Sequence, residues 1–204
     1  GPDNDKYLLG ARILHFFNDG KLQPLDWVPN DIATHMAFHW YMQRAFKYSE
    51  TLVNAYSDDV KNQEVWWGTL DSIRDDGDGP MVDIRKDMVM HLGTRATYLV
   101  DYAKPIDVDS EQSALAMEIT GDAKVVAAAI DKQMLVDPDA KKHEVNGLTI
   151  WEVTPPKDSA DRPASWMVAY GHLFRASHAD ILKKLAGMPA KQLNKADELK
   201  AVNA

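Results

Sequence analysis

The stretch "KKHEVNGLTIWEV" holds two runs of β-formers separated by Asn146-Gly147. That pair tolerates the positive φ of a two-residue hairpin turn, so the runs fold back on each other as antiparallel neighbours. A second hairpin follows in "ASWMVAYGHLFRAS", turning near Gly171. Upstream, "TRATYLVDYA" and "SALAMEI" are rich in residues that suit a pleated surface and read as two more strands, across a loop containing Pro105. Asp122 or Thr120 caps the alanine-rich helix "AKVVAAAIDKQML", which Asp137-Pro138-Asp139 ends. Ser177 and Asp180 form a capping box for the helix "ADILKKLAG", ended by Pro189. From about Thr94 the order is therefore strand, strand, helix, hairpin, hairpin, helix. This is an α+β pattern: an antiparallel sheet with helices packed mainly on one face.

The part before Thr94 reads as mostly helical. "DKYLLGARILHFFNDG" places Leu9, Ile13, Leu14 and Phe17 on a helical stripe, stopped by Asn18-Asp19-Gly20. "KLQPLDWVPND" is a connector. Ile32 to Trp40 alternates, with the bulky Met36, Phe38 and Trp40 on one side, as a half-buried strand requires. From Tyr41 the period becomes helical, through Phe46, Leu52, Val53 and Tyr56. One uninterrupted helix from Asp31 to Tyr56 is the alternative, because no glycine or proline separates the halves. "NQEVWWGTLDSIRDD" is a helix with Val65, Trp66, Leu70 and Ile73 inward, closed by the turn "DDGDGP". "MVDIRKDMVMHLG" is a short helix stopped by Gly93. Residues 3–188 are thus expected to form one domain, helix-rich over 3–93 and sheet-rich over 94–188, with 189–204 a polar helix or tail.

Composition narrows the chemistry. There are no cysteines, which removes disulfides, thiolate metal sites and cysteine nucleophiles. A formal charge of −8 and a pI near 5.3 argue against a nucleic-acid partner, since an acidic surface repels phosphate backbones. No apolar run approaches the roughly 18–20 residues that cross a bilayer. Gly1-Pro2 reads as the scar of a cleaved tag, so the native protein is expected to extend further.

The residues open to functional readings are few. His35 and His39 are four apart; on a helix they would share a face and a metal, on a strand they stand about 13 Å apart. Asp87, His91 and His143 are the candidates for a third ligand. Asp87 and His91 are also spaced as a base with its orienting partner, or His91 simply occupies a last helical turn. In "DDGDGPMVDIRKD", Asp76, Asp78 and Asp87 fall at positions one, three and twelve of a calcium loop. Pro80 and Met81 break that pattern, leaving a looser site at Asp75, Asp76, Asp78 and Asp83. Trp66 and Trp67 point about 100° apart, one into the core and one toward the surface, where an indole stacks on sugars or anchors a partner. No GxSxG, P-loop or GxGxxG is present. No catalytic residue, metal or cofactor is expected.

The runs "WVPNDIATHMAFHW", "DGPMVDIRKDMVMHLGTRATYLVDY", "HEVNGLTIWEV" and "YGHLFRASHADIL" resemble a group of uncharacterised planctomycete proteins, exported or envelope-associated. The resemblance covers Trp27 to about Leu185. It implies an extracytoplasmic setting and a place within a longer protein, and it supports a strand at Ile32–His39. The expected function is a non-enzymatic binding or assembly domain of a larger exported bacterial protein, whose partner is a protein or envelope component. The alternative is a metal-assisted hydrolase using a histidine and carboxylate cluster at His35, His39 and His91.

Overall fold

A computed structural model describes residues 11–19, 22–23, 25–56, 65–159 and 161–187. It is α+β, built on an antiparallel sheet of eight strands in the order β1-β2-β3-β4-β8-β7-β6-β5. The strands are β1 (Phe16–Phe17), β2 (Thr34–Trp40), β3 (Leu92–Tyr102), β4 (Glu111–Ile119), β5 (Ala140–Val145), β6 (Leu148–Val153), β7 (Ala164–Ala169) and β8 (His172–Ala176). The α-helices are α1 (Met42–Tyr56), α2 (Val65–Asp75), α3 (Ala123–Leu135) and α4 (Ala179–Ala186). Helices fall in both halves of the chain. The expectation of a mostly helical N-terminal part with helices gathered on one face therefore does not hold in that form. Among the described residues no helix is long and apolar enough to cross a membrane.

The chain divides into two compact units. One takes the segment up to Asn18 with His39–Arg95 and Glu118–Pro138; the other takes Asp19–Phe38, Ala96–Met117 and the chain from Asp139.

In the second unit the two hairpins form as their turns dictate. Asn146 and Gly147 have φ of 51° and 77°, and Tyr170 and Gly171 have 54° and 70°. Positive φ at both central residues is the turn whose twist matches that of the strands. The register lines Ile150 up with Met167, and Met167 with Phe174, each at most 1% exposed. The amphipathic helix α4 adds Ile181, Leu182 and Leu185 to the same cluster. Trp27, from the connector, packs edge-on against Phe174 at 4.9 Å between ring centroids. Lys184 bridges Asp31 and Asp101 at 3.1 and 2.7 Å, tying the connector to α4 and β3.

In the first unit α3 buries Val126, Ala129, Ile130 and Met134, and the Asp122 side chain accepts from Lys124 N as its cap. Residue α1 Gln43 donates from Nε2 to Leu92 O at 3.0 Å, fixing the helix start against the start of β3.

Local departures from expectation have physical causes. The described part of the first expected helix is a single 3₁₀ turn, Arg12–Leu14, followed by β1; the rest lies outside the described residues. Here cross-strand pairing overrides the helical stripe: Phe16 pairs with Trp40 and Phe17 with His39, giving aromatic contacts a helix would not reach. "MVDIRKDMVMHLG" is a π turn at Ile84–Met88 and a 3₁₀ turn at Val89–His91, and Gly93 lies inside β3 rather than ending a helix. Ser177 makes no capping box. Its Oγ accepts from Ser113 N at 2.9 Å, and the N-cap position falls on His178, without a side-chain cap. The expected tail at 189–204 lies outside the described residues.

Candidate functional site

The strand reading of the His35/His39 segment holds: β2 spans Thr34–Trp40, and α1 begins at Met42. Two imidazoles four residues apart along a strand stand about 13 Å apart, too far to share an ion. His39 sits instead in an aromatic stack. Its ring lies 5.1 Å from Phe17, which lies 4.0 Å from Tyr41, and Arg44 covers the Tyr41 ring at 4.6 Å. His35 is exposed.

Among the described residues the outer side of β2 is only partly covered. β1 pairs with His39 and Trp40 alone, and Tyr41 N donates to His15 O just beyond. Main-chain groups alternate sides along a strand, so the N–H and C=O of every second residue back from Tyr41 face β1's side. On that side His35 and Ala37 have no neighbouring strand among the described residues. Thr34, His35 and Met36 are exposed, Met36 to 55%. The expected inward face of β2 therefore turns to solvent over this half of the strand. The segment carries no Asp, Glu, Lys, Arg or Pro, the devices that usually keep a free edge from pairing. The strand at the other end of the sheet, β5, carries Lys141, Lys142 and Glu144.

The remaining candidates do not converge. Asp87 accepts from Asp83 N, and His91 Nδ1 accepts from Asp122 N, so the two side chains serve different turns. Asp76 Oδ1 accepts from Asp78 N, closing its own loop, while Asp75 binds Arg74 and Asp83 binds Lys86. The Arg74 hydrogen bond holds the Asp75 carboxyl below the usual carboxylate range, outweighing its partial desolvation. His143 pairs with Glu152 at 2.7 Å across the β5–β6 hairpin. Among the described residues no three histidines or carboxylates gather as a metal site would need. Trp66 and Trp67 do diverge as their spacing predicts. Trp66 packs on Phe46 at 5.2 Å, whereas Trp67 lines an open pocket of about 250 Å³.

Sequence reasoning missed a second cleft, of about 380 Å³, where α1 meets the start of β3 and the end of β4. Arg44, Gln43, Thr94, Glu118 and Thr120 line it. Gly93 lets its walls come together: a Cβ there would meet Glu118 Oε2 at 2.6 Å and Thr120 Cγ2 at 2.7 Å. Arg95 is pushed below its ordinary range by burial, with Glu118 opposing. The signal in the sequence was Gly93, read there as a helix stop.

Comparison with family models, with curated proteins and with solved structures found no match.

Proposed function

We propose that this chain is a non-enzymatic assembly domain of a larger exported bacterial protein, and that it assembles by pairing β2 with β2 of a second copy. The observation that carries this reading is the uncharged edge at Thr34–Ala37, which has no neighbouring strand among the described residues. The resemblance described above supports the exported, extracytoplasmic and multi-part aspects.

A two-fold antiparallel pair centred on Met36 sets His35 opposite the partner copy's Ala37 and Ala37 opposite its His35. All four outward main-chain groups of each copy then find partners, and a closed dimer results. No like charges oppose each other, and the two exposed Met36 side chains meet at the axis. An edge this short buries less than a standard interface, so dissociation falls between roughly 10 µM and 1 mM.

Ala37→Pro is the decisive variant. It deletes an outward N–H and leaves the inward ladder to β3 intact, a position where an edge strand accepts proline. Sedimentation velocity over that concentration range is expected to show wild-type dimers and a monomeric Ala37→Pro chain with unchanged circular dichroism. A wild type that stays monomeric, or a proline variant that dimerises equally well, overturns the reading.

A further inference from the structure

The pocket at Trp67 is independent of the β2 edge. On α2, Trp67, Leu70, Asp71 and Arg74 follow the i, i+3, i+4, i+7 spacing and form one stripe. The facing wall is the turn that carries Asp83, Arg85 and Lys86. Its charged groups are held in place by one another. Arg74 binds Asp71 at 2.7 Å and Asp75 at 2.6 Å, and Lys86 reaches Asp83 at 3.3 Å. Two groups are left over. The Trp67 indole N–H and the exposed Arg85 guanidinium have no hydrogen-bond or ionic partner among the described residues.

We propose that this pocket binds a sugar ring bearing a carboxylate. The flat indole receives the C–H face of a pyranose, which is apolar on one side while its rim is hydroxylated. The same pocket is lined by two carboxylates, Asp71 and Asp83, and by the cations Arg74, Arg85 and Lys86, acceptors and donors that suit sugar hydroxyls. Their mutual ion pairs fix them before the ligand arrives, so little ordering is lost on binding. Among the described residues Arg85 is the cation of the set without a carboxylate, and its fork suits a planar anionic group. The volume, about 250 Å³, lies below the roughly 300–1,000 Å³ typical of drug-sized ligands and suits a single ring.

The test uses D-glucuronate as probe and D-glucose as its uncharged counterpart, with the indole N–H resonances followed by NMR. The Trp67 signal is the one that vanishes in Trp67→Phe. Glucuronate is expected to shift it with a dissociation constant of about 1 mM, the affinity ordinary for a ligand this small. Glucose is expected to bind about tenfold more weakly. Arg85→Gln, an exposed change that leaves the fold intact, is expected to remove that tenfold preference. The proposal is overturned if glucuronate leaves the Trp67 resonance in place at ten times that concentration. It is equally overturned if the two sugars bind alike and Arg85→Gln changes nothing.

Discussion

Gly121 is the position where a single methyl group should do most damage. The turn Thr120-Gly121-Asp122 wraps around His91. Thr120 N and Gly121 N both donate to His91 O, at 3.0 and 3.1 Å, and Asp122 N donates to His91 Nδ1 at 3.0 Å. A Cβ on Gly121 would collide with His91 Nδ1 and lie 3.0 Å from the His91 Cα, a main-chain atom that cannot rotate away. The turn must shift, and Asp122, the N-cap of α3, shifts with it. Overpacking of this kind costs about 1–3 kcal/mol and a lost cap about 1 kcal/mol. The smaller conformational freedom of alanine in the unfolded chain returns about 0.4–1 kcal/mol. Gly121→Ala is therefore expected to destabilise by about 1–3.5 kcal/mol, or about 2–14 °C in Tm for a chain of this size. Urea titration followed by circular dichroism measures it as a lower midpoint at constant slope. His91→Ala/Gly121→Ala should recover only the part due to the ring, because the main-chain contact persists. A Gly121→Ala variant within about 0.5 kcal/mol of wild type would refute the reasoning, since it would mean that the turn moves without loss.

Two further positions probe the second unit. Burial works against the Lys184 ammonium, but its hydrogen bonds to Asp101 and Asp31 outweigh burial and raise its pKa. The stability it contributes is then present in full below the unfolded lysine value of about 10.4 and is lost as pH rises through the folded one. Thermal unfolding should show Lys184→Met about 1 kcal/mol less stable at neutral pH, with the gap to wild type closing at strongly alkaline pH. Asn146 holds φ at 51° and also donates from Nδ2 to Ala186 O, at the end of α4. Asn146→Ala should cost about 1–2 kcal/mol by denaturant titration, whereas Asn146→Gly keeps the turn and loses only the bond.

How much was legible in the sequence depended on the range of the forces involved. The hairpins at Asn146-Gly147 and Gly171 were readable because the turn residues themselves set the register. The change of period at Tyr41 was readable for a similar reason, and so was the Asp122 cap. Phe16-Phe17 was not readable as a strand, because its pairing partner lies over 20 residues away and only the fold brings the rings together. Ser177 has the spacing of a capping box, yet Ser113 claims it, 64 positions upstream. Among the candidate site residues, strand geometry alone was enough to separate His35 from His39. The divergence of Trp66 and Trp67 followed from helical geometry. The cleft around Arg44 and Glu118 was invisible, because its residues come from three separate segments and carry no motif.

The seam between β4 and β8 has a consequence for how the chain is made. Ser113 N donates to Ser177 Oγ, and Ser177 N to Ser113 O, across the two middle strands of the sheet. During synthesis, β4 leaves the ribosome long before β8 exists and must wait beside an empty position. The hairpins from Ala140 to Ala176 close locally, whereas their last strand must find β4 across a long stretch of intervening chain, the kind of pairing that forms slowly. A nascent chain stopped before His172 would leave its mid-sheet strand uncovered, a state that chaperones recognise and that favours aggregation.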